Sequence, residues 1–196
     1  MDADDLPLFP LNTVLFPGGQ LALRIFEARY LDLIRECSHK GVGFGVNLIL
    51  SGQEVAAPAL PAAVGCEARI VDFSSTAEGL LLLSVQGGRR FHVERSRVRD
   101  NGLIIAKVSW FDTEPSSAVR PEHQLLTVLL RRIVECAGPP HDQVDEGKFD
   151  DAQWLGWRLA EWLPLTAGQR QGLLQESDAH QRLQRLVELI PDIQES

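Results

Sequence analysis

Lysine is scarce in this sequence: Lys40, Lys107 and Lys148 are the whole supply. The scarcity excludes chemistry. No G-x-x-x-x-G-K-[ST] loop is present, so there is no P-loop for a nucleotide triphosphate. A Ser–Lys hydrolytic dyad has almost nowhere to sit. Lys107 and Ser109 share a predicted strand face, and surface decoration accounts for them, since no neighbours suggest the desolvated pocket a catalytic lysine needs. No G-x-S-x-G nucleophile elbow occurs either. Cysteine is almost as sparse. Cys37, Cys66 and Cys136 lie far apart, form no C-x-x-C and leave one over after any pairing. A disulfide framework and a zinc site are therefore not expected, and reduced thiols in the cytoplasm are. Long apolar runs are missing too. The leucines at 80–83 have strand length, far short of the ~20 residues a membrane helix requires. The start, Met-Asp-Ala-Asp-Asp, is acidic where a signal peptide is basic.

Positive charge is in deficit overall. The 196 residues carry a formal charge of -8, which opposes non-specific attraction to nucleic acid or an anionic membrane. The 44% hydrophobic content is ample for a core. The punctuation then divides the chain. Residues 6–11 alternate leucine or phenylalanine with proline, which predicts an edge strand or an extended segment. Phe16-Pro17-Gly18-Gly19 reads as a turn, and Leu21, Leu23 and Ile25 alternate as a half-buried strand. The period changes over 27–39, where Tyr30, Leu31, Ile34 and Cys37 fall at helical spacing before Gly41. Residues 42–50 read as a strand with alternate glycines. Strands and turns fill 64–111, with a turn at Glu78-Gly79, a break or bulge at Gly87-Gly88 and a hairpin at Asp100-Asn101-Gly102. Such short strands suggest a barrel or a sandwich.

After Pro115 helical spacing takes over. Leu125, Leu126, Leu129, Leu130, Ile133 and Val134 form one stripe. An acidic loop is expected over 141–151. A helix through Leu155, Leu159 and Leu163, with Trp154 and Trp162 packed beside it, ends at Pro164. Thr166 and Gln169 have capping-box spacing for the next helix, and Asp178 can cap another through Leu183, Leu186, Val187 and Ile190. The expectation is an α+β fold, with a β-rich lobe at 1–115 and a helical lobe at 116–196.

Candidate sites are few. Gly41, Gly43 and Gly45 follow a helix and precede a strand, the reverse of a phosphate cradle, so a helix stop and close strand packing account for them. His141, Asp142, Asp145 and Glu146 have metal-ligating side chains but sit in the acidic loop, where a solvated linker accounts for them. No metal or cofactor is expected. Arg89 and Arg90 precede Phe91, and a strand through 95–99 would set Arg95, Arg97 and Arg99 on one face. Basic residues beside an aromatic can bind RNA, although a solvated strand face serves equally.

Three stretches together resemble a known family. They are residues 6–18 (Leu-Pro-Leu-Phe-Pro-Leu-Asn-Thr-Val-Leu-Phe-Pro-Gly), 23–30 (Leu-Arg-Ile-Phe-Glu-Ala-Arg-Tyr), and 64–70 with 88–91. Trp162-Leu163-Pro164-Leu165-Thr166, residues 171–174 and Arg182-Leu183 extend the likeness into the helical half. Their order is similar to that of the N-terminal substrate-binding domain of Lon proteases. Ala28 stands where family members often have proline, and alanine suits the first helical turn as well. The resemblance implies a barrel similar to the PUA-like (pseudouridine synthase and archaeosine transglycosylase) folds, with one helix, followed by a helical bundle. The 196 residues include neither the ATPase nor the Ser–Lys protease module of Lon, so a stand-alone bacterial member is expected. Unfolded or tagged polypeptides are the implied partners, with a separate ATPase or protease beside them and RNA as the alternative. The third possibility is an unrecognised hydrolase. Exposed apolar side chains or a free strand edge would carry polypeptide binding, with Leu8, Phe9, Phe16, Phe26 and Tyr30 as candidates, although core packing accounts for each of them more readily.

Overall fold

A computed structural model describes residues 5–51, 60–75, 80–139 and 143–194. The chain divides into two units, Met1–Phe111 and Asp112–Ser196. The turn predicted at Glu78-Gly79 lies outside the described residues, as do His141 and Asp142. The fold is mixed α+β, with six strands and five α-helices among the described residues.

In the first unit, apolar alternation sets strands β1 (Asp5–Leu11), β2 (Gln20–Ile25), β3 (Phe44–Ser51), β4 (Leu60–Ser75), β5 (Leu81–Val98) and β6 (Ile104–Trp110). They form one sheet in the order β2-β5-β4-β3-β1-β6. β6 then pairs again with β5, so five strands close a ring and β2 is attached outside it. β1 is not the edge strand its prolines suggest. Its first half pairs with β6 and its second half runs parallel to β3. Pro7 has β6 alone beside it and Pro10 has β3 alone, so each has an unpaired side for its missing N–H.

The helix α1 (Ala28–Lys40) begins at Glu27 and ends where Gly41 takes a left-handed φ of 64°. Tyr30, Leu33, Ile34 and Cys37 recur at helical spacing and bury against Leu23, Ile25, Leu83 and Val85 of the sheet. Phe9 stacks on Tyr30 with ring centroids 3.9 Å apart. A second cluster, Leu6, Leu8, Phe91, Ile104 and Ala106, is buried separately. Burying each such side chain contributes about 1.5–3 kcal/mol.

Gly87-Gly88 does not break its strand. The register slips there, from Cys66 opposite Arg90 to Ala68 opposite Gly87, and β5 continues through the bulge. The reason is close approach. A Cβ at Gly87 would lie 2.0 Å from the Phe16 carbonyl oxygen. The turn at 16–19 docks there, with the Gly18 N–H donating to the Gly87 carbonyl and the Gly87 N–H donating to that of Gly19, both at 2.8 Å.

The second unit carries α2 (Gln124–Ala137), α3 (Ala152–Trp162), α4 (Ala167–Gln175) and α5 (Ala179–Gln194). Thr166 and Gln169 form the reciprocal capping box at the start of α4. The buried stripe of α2 is narrower than its leucines suggest. Leu126, Leu130 and Val134 are buried, whereas Leu125 is 81% exposed, one residue off that stripe. The acidic stretch is not all loop. Glu146–Asp150 forms a 3-10 turn, with the Gly147 N–H donating to the Asp145 carboxylate, because Phe149 is buried and anchors it. Of the helix's tryptophans, Trp157 is the most buried, beneath the guanidinium of Arg182 at 3.2 Å from its ring centroid.

Candidate functional site

The sheet extends beyond the ring as a three-stranded arm. Residues 20–25 of β2, 81–86 of β5 and 69–75 of β4 lie side by side there. β3 accompanies β4 as far as Ala68, so the arm has two edges without a strand beside them among the described residues. Residues directly opposite in an antiparallel pair share a face. Leu23, Leu83 and Phe73 therefore line one row, and Leu21, Val85 and Ile70 the next. α1 covers the inner part of that face. Coverage ends before Phe73, which is 69% exposed, and Leu21, Ile70 and Leu81 are only partly buried. Phe26, directly after β2, is 61% exposed. Phe73 thus stands bare on the face that carries half-covered Ile70 and Leu81, and Phe26 stands bare just past the end of β2.

The five apolar candidates separate on this geometry. Leu8, Phe9, Phe16 and Tyr30 are buried in the first unit's core and present no surface. Phe26 is on the surface. Phe73 was not legible as a contact. In sequence it is one more apolar residue of a strand, and its exposure follows from a register slip at Val71 and from where α1 stops.

The register of β5 is regular from Arg95 to Val98, after a shift between Val93 and Arg95, so Arg95 and Arg97 share a face and Arg99 follows directly after the strand. Arg97 pairs with Asp5 at 2.8 Å and Arg99 with Glu36 at 3.1 Å. Arg90 is buried, its guanidinium 4.5 Å from the Phe111 ring centroid. Arg89 is exposed and lies over Trp110 at 4.4 Å, and Arg95 is exposed opposite Lys107.

A polar cleft of about 300 Å³ in the second unit is lined by Arg120, Glu122, His123, Asp178 and His180, among others. The two imidazoles stack with centroids 6.0 Å apart. Burial, then the Arg120 charge, holds His180 below its ordinary value. Asp178 is lowered chiefly by the Gln181 N–H that caps onto it. Ser117 Oγ stands 3.4 Å from His180 Nε2. A hydrolase needs a third group to orient such a base, and no described residue bonds His180 Nδ1. Among the described residues, no three His, Cys, Asp or Glu side chains group as metal ligands. Nor is any described helix long and apolar enough to cross a membrane.

A family model described as the ATP-dependent protease La (LON) substrate-binding domain matches residues 5–192. The chain belongs to that family. It is similar to a Lon N-terminal domain protein from Xanthomonas campestris, at 49% identity and a TM-score of 0.81, covering 94% of this chain and 97% of that one. It shares the fold of the N-terminal domain of a Mycobacterium avium complex Lon protease, at 19% identity and a TM-score of 0.68, covering 96% and 98%. Among curated proteins none matches.

The stretches that carry the LON likeness have structural work. Residues 6–11 lie in β1, held between β3 and β6. Residues 16–19 are the turn seated on Gly87. Residues 162–166 end α3 and cap α4, and Arg182 is the buried cation under α5's first turns. Of the arm's exposed side chains, Arg24, Phe26 and Arg69 lie within the stretches that carry the likeness and Phe73 outside them.

Proposed function

We propose that this LON-family chain is a non-catalytic module that binds unfolded polypeptide, acting in the cytoplasm as an adaptor or chaperone-like partner of a separate ATPase or protease. The strand ring is taken as PUA-like and the four helices as a bundle, the two lobes together making one Lon N-terminal-type domain. One observation carries the reading. Phe73 stands exposed on the face that carries half-covered Ile70 and Leu81, and Phe26 exposed just past β2, on an arm that has no strand along either edge among the described residues. Exposed apolar groups and strand edges are what unfolded chains recognise. The carboxylate pairs of Arg97 and Arg99 support this reading over an RNA strip, because a cation already facing a carboxylate has less net charge to offer a phosphate.

The test uses a permanently unfolded, carboxymethylated polypeptide labelled for fluorescence anisotropy. The double variant Phe26→Ser, Phe73→Ser should weaken binding by about tenfold or more, each exposed ring having about 1 kcal/mol or more at stake. Tm should stay within about 2 °C, since neither ring is core. Equal binding by the double variant contradicts the reading.

A further inference from the structure

The two edges of the arm are not equivalent. In an antiparallel pair, residues alternate between those that exchange N–H···O bonds with the partner and those whose backbone groups point away. The Gly87 N–H donates to the Gly19 carbonyl, which fixes the phase. Counting along the register, Leu21, Leu23 and Ile25 bond to β5. Ala22 and Arg24 turn their N–H and C=O groups to the free side, where no described residue pairs with them. The same count across β5 turns Phe73 to the other free edge. There the Phe73 N–H is already taken by the Asp72 carboxylate at 2.8 Å, and a bulge at Val71 bends the strand. Bulges and local carboxylates blunt a strand edge against pairing. β2 has no register slip and no proline. One edge of the arm is closed and the other is open.

We propose that β2 is the docking strand: an extended polypeptide segment adds to its free edge, bonding the backbone of Ala22 and Arg24, with an acidic side chain opposite Arg24. The proposal rests on the polypeptide-binding reading above and gives it a mode. A row of alternating N–H and C=O groups is matched by another extended backbone and by no other common ligand. Arg24 supplies the selectivity. Its side chain is exposed and makes no ion pair among the described residues, so a carboxylate across the new strand pair is favoured and an ammonium is not. Phe26, following β2, gives the incoming chain an apolar contact at one end.

The experiment uses the full chain and two labelled octapeptides of alternating valine and threonine, one carrying a central aspartate and the other a lysine. Ala22→Pro removes an outward N–H and places a ring on the edge, leaving the β2–β5 bonds intact. The aspartate peptide should bind, and Ala22→Pro should weaken it by about tenfold or more. Arg24→Glu should reverse the preference between the two peptides, an outcome no loss of fold produces, so it decides the matter if Ala22→Pro fails to fold. Unchanged binding with Ala22→Pro, or an unchanged preference with Arg24→Glu, overturns the docking strand while leaving polypeptide binding standing. A wild-type chain that binds neither the peptides nor the carboxymethylated polypeptide overturns both. A dimer in light scattering that Ala22→Pro dissociates shows a second copy on this edge and overturns the proposed occupant.

Discussion

Arg182→Met separates a buried ionic lock from ordinary helix packing. Arg182 is fully buried and reaches Glu114 at 2.8 Å, a carboxylate itself 9% exposed. It also donates to the Glu176 carbonyl at 2.7 Å and lies over Trp157. Gly156 leaves room for it, since a Cβ there would come 3.1 Å from Arg182 Cδ. Methionine fills much of the volume but removes the charge that faces the Glu114 carboxylate. Breaking one side of a buried pair costs about 3–5 kcal/mol. A domain of this size holds about 5–15 kcal/mol in all and loses roughly 4–8 °C of Tm per kcal/mol. The second unit should therefore melt at least about 12 °C lower. Tryptophan fluorescence is the assay, because Trp154, Trp157 and Trp162 all lie in that unit. Arg182→Met with Glu114→Leu should recover most of the loss, since replacing both partners by apolar groups is close to neutral. A drop under about 3 °C for the single variant, or no recovery in the double, refutes the lock.

Gly87→Ala should cost about 1–3 kcal/mol by denaturant melting, because its Cβ collides with the Phe16 carbonyl and forces the 16–19 turn off the bulge. The stability of the second unit should be full above about pH 6.5 and fall as pH drops below it. Folding holds His180 below its ordinary value through burial and the Arg120 charge, with Asp178 and Glu122 opposing and His123 adding to Arg120, so the unfolded chain binds that proton more tightly. His180→Gln should flatten the slope between pH 5 and 6.5. Asp178, also lowered, acts in a separate window below about pH 4, where protonation costs α5 its cap. Thiol titration of the native chain near pH 8 should find one fast cysteine, the exposed Cys136. Cys66 is buried, and burial pushes Cys37 to about 11, so both should react only on unfolding.

Much of this was legible from residue patterns, for physical reasons. The Thr166–Gln169 capping box and the Gly41 stop are local chemistry, complete within a few residues, and both are found. The alternation over 20–25 and the helical spacing from Tyr30 to Cys37 report which face meets the core, and they do. What failed was non-local. Prolines in 6–11 signal an edge, but nothing in those residues says that two partners take successive halves of the strand. Leu8, Phe9, Phe16 and Tyr30 look as sticky as Phe26, and burial depends on what covers them. Alternating arginines imply one face, but nothing in those residues says that Asp5 and Glu36 come to pair with two of them. The open edge of β2 is the extreme case. It is defined by the absence of a neighbour and by a hydrogen-bond phase set at Gly87, 65 residues beyond Ala22.

Residue-resolved amide exchange on the full chain, with and without the carboxymethylated polypeptide, tests the central claim most directly. The Ala22 and Arg24 amides have no partner among the described residues and should slow markedly on adding polypeptide, while those of Leu23 and Ile25, already bonded to β5, change little. Saturable binding that leaves Ala22 and Arg24 exchanging as before, with protection elsewhere, would contradict it.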